Sequence, residues 1–158
     1  MQVEELMTPS VQCCQANDSL ERAAEIMWSQ DCGCVPVCAT AGDNQAVGML
    51  TDRDICMCAL FQGKALRELR VSEAMARQVI AVRPNDSLTD AERAMQEAQI
   101  RRLPVINKQG TVVGMLSLSD IAREAAREQT SPRRRVTEAE VNDTLAAICQ
   151  PNGGPLMV

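Results

Sequence analysis

The chain contains no histidine and no tyrosine, and its only aromatic residues are Trp28 and Phe61. Without histidine there is no Ser-His-Asp triad, no Cys-His nucleophile pair, no imidazole general base and no His-ligated metal. Without aromatic platforms there is little for single-stranded bases to stack on. Positive charge is short too. The formal net charge is −5 and the pI is near 4.8, the wrong sign for a general nucleic-acid binder. No apolar run approaches the roughly 18 residues of a membrane span. The opening Met-Gln-Val-Glu-Glu-Leu is acidic, unlike the basic-then-apolar start of a signal peptide. A cytoplasmic protein with neither a membrane nor a nucleic-acid partner is the expectation. No G-x-x-x-x-G-K-[ST] phosphate loop and no nucleophile–base pair is present, so the reading is non-catalytic.

What is present repeats itself. Asn17-Asp18-Ser19-Leu20 returns 68 residues later as Asn85-Asp86-Ser87-Leu88, and Val35-Pro36-Val37 returns as Leu103-Pro104-Val105. Glu5 and Met7 return as Glu73 and Met75 at the same offset. Gly48-Met49-Leu50 returns as Gly114-Met115-Leu116, now 66 residues on, so two extra residues lie in the first copy's turn. Asp54-Ile55 matches Asp120-Ile121. Several short matches in one order define a duplicated unit of about 60 residues.

Each copy follows one grammar: strand, helix, strand, strand, helix. Short apolar stretches (Val11 to Cys14; Val79 to Val82) open the units. Asp18, with Glu21 reaching back, is placed to cap a helix in which Leu20, Ala23, Ala24 and Met27 share a face; Leu88, Ala91 and Met95 repeat it. The Pro-containing strands follow, then turns at Gly42-Asp43-Asn44 and Asn107 to Gly110. Second strands (Ala46 to Leu50; Val112 to Leu116) run into helices opened by Thr51 and Ser117. The fold class is α/β (α+β). A unit this small buries its apolar face poorly alone, so two should pack about a pseudo-twofold axis. The boundaries expected are 1–62 for the first repeat, 63–70 for a linker, 71–128 for the second repeat, and 129–158 for a linker and C-terminal helix.

The combination of Asp-Ser-Leu, hydrophobe-Pro-Val and Gly-hydrophobe-hydrophobe-Ser/Thr-x-x-Asp resembles the CBS domain, named after cystathionine β-synthase. Two in tandem resemble a Bateman module, over about residues 3–126. The resemblance implies a central cleft with two quasi-equivalent sites for adenosine-containing ligands: AMP, ADP, ATP, NAD or S-adenosylmethionine. It also implies disc-like homodimers and an effector protein of unknown identity.

The candidate site residues come from both copies. Thr51 to Asp54 and Ser117 to Asp120 read first as capping boxes, which need no ligand. The same helix start is also an anion site with free N–H groups. The resemblance gives Asp54 and Asp120 the two hydroxyls of a ribose. Arg101 and Arg102 stand before the second Pro-containing strand, and Arg53 stands two places after Thr51. Either these are solvated charges or their guanidinium forks reach phosphate. In one shared cleft the three would offset two or three phosphate charges. Opposite Arg101-Arg102 the first copy has Gly33-Cys34, and opposite Arg53 the second has Ser119, so the two sites differ. By resemblance Ile80 and its counterpart Gln12 lie on the base-contacting strands, with Thr8 as a polar contact beside the base. The ordinary reading of the apolar strand residues is core.

Eight cysteines, at 13, 14, 32, 34, 38, 56, 58 and 149, leave an alternative open. Cys32-Gly33-Cys34 with Cys38, and Cys56-Met57-Cys58, could be metal ligands or redox thiols. The Cys-x-Cys spacing is not the common zinc pattern, and Cys56 and Cys58 fall about 200° apart on a helix. Small buried hydrophobes are the plainer reading, with Cys34 at the cleft edge the thiol to test. No metal or resident cofactor is expected.

The tail is a polar linker with Arg133-Arg134-Arg135, then a helix of 137–149 opened by Thr137-Glu138-Ala139-Glu140. Its stripe of Val141, Leu145 and Ile148 should dock on the module or a dimer partner, with Pro151 to Val158 loose. The expectation is a stand-alone, adenosine-nucleotide-binding regulatory module. The alternatives are a redox-responsive cysteine protein on the same fold, or a structural dimerisation unit with non-binding sites.

Overall fold

The computed structural model describes residues 1–40, 42–128 and 135–150. Arg133, Arg134 and the expected loose end from Pro151 lie outside the described residues. The elements in order are β1 (Thr8–Pro9), β2 (Cys14–Gln15), α1 (Leu20–Ser29), β3 (Cys34–Thr40), β4 (Asp43–Thr51), α2 (Asp52–Gln62), α3 (Val71–Ala74), α4 (Leu88–Ala98), β5 (Arg102–Ile106), β6 (Val112–Ser117), α5 (Leu118–Glu128) and α6 (Glu138–Ile148). The architecture is mixed α+β with two three-stranded sheets.

The two units are the same structure made twice. β2 pairs with β3 in parallel, with Cys14 opposite Val37. In the second unit the opening strand shrinks to one parallel bridge, Val82 opposite Val105. β3 pairs antiparallel with β4, and β5 with β6. Helix starts differ slightly from the sequence reading. Ser19 and Ser87, not the aspartates before them, cap α1 and α4, accepting from the Arg22 and Asp90 N–H groups at 3.1 Å each. Asp18 and Asp86 instead close the preceding turns, accepting from the Gln15 and Arg83 N–H groups. A serine one residue nearer the helix reaches N3 better, which frees the aspartate for the turn.

The leading segments are exchanged between the units. Residues 1–10 pack on the second: Thr8 pairs with Met115 in β6, and Val3 lies in the core with Leu88, Met95, Leu103, Leu116 and Ile121. Residues 69–76 pack on the first: Ala76 bridges Met49, and Leu69 and Val71 join Leu20, Met27, Val35, Val37 and Leu50. The recurring glycines make room for this. A Cβ on Gly48 would stand 2.8 Å from the Ala76 carbonyl oxygen, and one on Gly114 would stand 2.7 Å from that of Thr8. Neither repeat therefore completes its sheet without the strand that leads into the other.

α6 begins as expected, with Thr137 and Glu140 forming a capping box. It packs across α4 and α5. Its inward face departs from the expected stripe. Val141 and Ile148 reach the second core, but the buried position between them is Thr144, whose Oγ1 accepts from Gln96 Nε2 at 2.8 Å, and Leu145 is exposed. Thr144 lies three residues from Val141 and four from Ile148, so it lies on the same face, and α4 presents a polar partner there. Arg135 is tied down by Glu128 at 3.1 Å and Glu5 at 2.9 Å. No helix among the described residues is long and apolar enough to cross a membrane.

Candidate functional site

Both Ser/Thr-x-x-Asp segments fold as capping boxes at the start of a helix that leaves a strand end. At the second, Ser117 donates to Asp120 Oδ2 from its hydroxyl at 2.6 Å and from its backbone N–H at 2.8 Å. The Asp120 N–H returns a bond to Ser117 Oγ at 3.3 Å. The other carboxylate oxygen pairs with Arg123, one turn further along α5. At the first, Thr51 donates to Asp54 Oδ2 at 2.7 Å (hydroxyl) and 2.9 Å (backbone), and the Asp54 N–H donates back at 3.1 Å. Each carboxylate is thus held at the mouth of a helix start.

The second box opens on a cleft of about 450 Å³. One wall is β1 with the residues after it, Thr8 to Gln12. A second wall is the end of α1 and the start of β3, including Asp31, Cys32, Cys34 and Pro36. The floor carries Met115, Ser117, Ser119, Asp120 and Arg123, and Arg102 closes one side. The exchange of leading segments produces this arrangement: Thr8 and Gln12 precede the first repeat in sequence but face the helix start of the second.

Of the candidates, Thr8, Gln12, Arg102, Ser117, Ser119 and Asp120 come together in this cleft. Thr51, Arg53, Asp54, Ile80 and Arg101 do not line it. Thr51 and Asp54 form the equivalent end of the first unit. Arg53 and Arg101 are exposed, and Ile80 packs against the second core. The three arginines therefore do not share this cleft. Its cations are Arg102 and Arg123, set against Asp31 and Asp120. Arg123 went unnoticed in the sequence, although a cation one turn beyond Asp120 on the same helix face was a usable signal. Asp31 had none: it enters the cleft through a left-handed backbone (φ 49°) just beyond α1. Ser10 is left-handed as well (φ 56°), and such non-glycine positions gather at functional sites.

The cysteines are spread out. Cys34 lines the cleft, but burial pushes its thiol up to about 11, and nearby Arg102 only partly opposes this. The neighbouring Cys32 thiol donates to the Cys34 carbonyl at 3.3 Å. Cys58 accepts from Gln62 Nε2, and Cys56 is exposed. Among the described residues, no group of three or more Cys, Asp or Glu is arranged to hold a metal ion.

An exchanged pair of strand–helix–strand–strand–helix units around such a cleft defines a class of ligand-binding pair, and comparison with known proteins names it. The CBS domain family matches twice, over residues 3–59 and 71–127. The chain belongs to the CBS domain family. It is 38% identical over 120 residues to the CBS domain-containing protein YhcV of Bacillus subtilis, spanning 76% of this chain and 82% of that one. It is 31% identical over 147 residues to hypoxic response protein 1 of Mycobacterium tuberculosis, spanning 93% of each. The crystal structure of Hypoxic Response Protein I with two coordinated zinc ions superposes with a TM-score of 0.70 at 32% identity, covering 78% of this chain and 98% of that one. The crystal structure of CBSX2 in complex with AMP superposes with a TM-score of 0.68 at 25% identity, covering 80% and 96%.

Proposed function

We propose that this protein is a non-catalytic sensor of an adenosine-containing ligand, acting in the cytoplasm by ligand-dependent association with an effector protein. The observation that carries the reading is the Asp120 carboxylate, held by its capping box at the floor of a cleft large enough for one nucleotide. In this reading Asp120 accepts the ribose hydroxyls, and Arg123 turns from Asp120 toward phosphate as the diol arrives. Arg102 meets the phosphate from the opposite wall, and the base lies along Thr8 to Gln12. Two arginines suit AMP best among AMP, ADP, ATP and NAD. The complex of CBSX2 with AMP supports this ligand class. Arg53, Asp54, Ile80 and Arg101 belong to the second, electrostatically different end. Calorimetric titration with AMP, adenosine and GMP tests the proposal. AMP should bind more tightly than either, and no heat with any adenosine compound at millimolar concentration would end it.

The reading includes a homodimer. α1 and α2 present Trp28, Leu60 and Phe61 to solvent around an open groove of about 600 Å³, lined by Ala24, Met27, Ile55, Cys56 and Leu66. The equivalent face of the second unit is already covered by α6. That favours pairing through one face over the two-faced disc that the resemblance implied.

A further inference from the structure

Two thiols outside the polar groups of the cleft meet each other. In the parallel pairing of β2 with β3, Gln15 stands opposite Cys38 and Cys14 opposite Val37. Side chains alternate along a strand, so Cys13 lies on the side of Gln15 and Cys38, and Cys14 on the other. Cys14 is buried, its thiol turned onto the Pro36 carbonyl, and burial pushes it up to about 12. Cys13 is only half-buried and is hydrogen-bonded to the Cys38 thiol. Cys38 itself is 2% exposed. The pair was not among the thiol groupings suggested by sequence spacing, because 25 residues and a helix separate its members.

The arrangement separates the two roles that disulfide formation needs. The hydrogen bond from Cys38 holds the Cys13 thiol below its ordinary value, which favours the nucleophilic thiolate at an accessible sulfur. Cys38 is screened from solvent but already in contact with that sulfur. We propose that Cys13 and Cys38 form a thiol–disulfide exchange site, in which Cys13 is attacked first and Cys38 resolves. The oxidant is a small-molecule disulfide. The Cys13 thiolate attacks one of its sulfurs, the S–S bond breaks, and the first thiolate leaves and takes up a proton. Cys38 then gives up its proton and attacks the Cys13 sulfur, which expels the second thiolate to be protonated in turn. The protein dithiol loses two electrons and two protons, and the disulfide is reduced to two thiols. The new bond would tie β3 to the residue next to Gln12, which lines the ligand cleft.

The site does not depend on the nucleotide reading, and its test uses no ligand. Fully reduced full-length protein is incubated with glutathione disulfide at neutral pH and followed by intact mass and peptide mapping. Wild type should lose two hydrogens, retain no glutathione, and yield a Cys13–Cys38 linked peptide. Cys38→Ala should stop halfway, with glutathione retained on Cys13. Cys13→Ser should form neither product at this pair and slow the overall loss of thiols by roughly tenfold. Glutathione left unresolved on Cys13 of the wild type, a disulfide mapped to other cysteines only, or an unmodified Cys13 would each overturn the proposal. The wild-type result stands even if a variant fails to fold.

Discussion

Trp28 and Gln96 occupy the same place in the two repeats, 68 residues apart on α1 and α4, with opposite surroundings. Gln96 lies under α6 and donates to Thr144 at 2.8 Å, whereas Trp28 is 90% exposed. A tryptophan beside an open apolar groove is the residue type that anchors interfaces. Light scattering of the wild type should give about twice the chain mass, and Trp28→Glu should give the monomer. Loss of such an anchor weakens association by at least about 2 kcal/mol, roughly 30-fold. Trp28 is the only tryptophan, so its emission should shift to the blue as the protein is concentrated. A monomer with a solvent-exposed indole at every concentration would refute this pairing.

Gly114 sets the exchange of leading segments. A methyl group there would meet the Thr8 carbonyl at 2.7 Å and Met7 Sδ at 2.9 Å. Gly114→Ala should therefore push β1 off β6, at a cost of about 1–3 kcal/mol from overpacking. Because β1 is also a cleft wall, ligand affinity should fall together with the melting temperature. A variant as stable as wild type, with β1 still protected from hydrogen exchange, would count against this account.

Much of this architecture was legible in the sequence, and the limits have physical causes. The offsets of 68 and 66 align both units and both capping boxes, since each repeat solves the same local problem. The exchange was not legible: Thr8 and Ala76 are equivalent whether each joins its own sheet or the other. The polar face of α6 was missed because Leu145 fits an apolar stripe as well by spacing as Thr144 fits the observed face. Within the site, Ser117 to Asp120 could be read from local pattern. Asp31 could not, because a left-handed aspartate has no sequence signature of its own.

Glu92 makes the docking of α6 sensitive to pH. It is 7% exposed on α4, its Oε1 has no hydrogen-bond partner, and burial with Glu140 opposite raises its pKa. Thr89, Arg93, Gln96, Asp143 and Thr144 complete its surroundings, and Arg93 is engaged by Asp90 at 3.3 Å. For a carboxyl raised on folding, the native state holds the extra proton. The penalty is absent below the ordinary glutamate range, grows as pH rises through the native value, and is complete above it. Glu92→Gln removes that titration. At neutral pH it should be the more stable protein, by about 1–3 kcal/mol if the orphaned charge sets the cost. Glu5, Glu73 and Glu128 are lowered on folding and contribute the opposite slope, so the difference between wild type and variant isolates Glu92. Denaturant unfolding from about pH 5 to 8 measures it, and a constant difference across that range would rule this origin out.

Asp120 separates capping from ligand binding. Its Oδ2 already serves Ser117 through two bonds, which is all a capping role requires. Removing that role alone with Asp120→Ala should cost about 0.5–2 kcal/mol of stability and leave AMP affinity unchanged. If the carboxylate holds the ribose, affinity should fall by about 1.5–3 kcal/mol, roughly 10- to 150-fold, as for a lost charged hydrogen bond. Asp120→Asn sharpens the contrast, because an amide still accepts at the cap but offers the diol only one acceptor oxygen. The expected result is weakened AMP binding in both variants, with stability lost mainly in the alanine one. The same changes at Asp54 should have the smaller effect, since Thr51 and Asp54 do not line the cleft that holds Arg102 and Arg123. Calorimetric titration beside thermal unfolding reads both quantities. Folded Asp120 variants that bind AMP as tightly as wild type would leave Asp120 as a capping residue and remove the ribose from this end of the cleft.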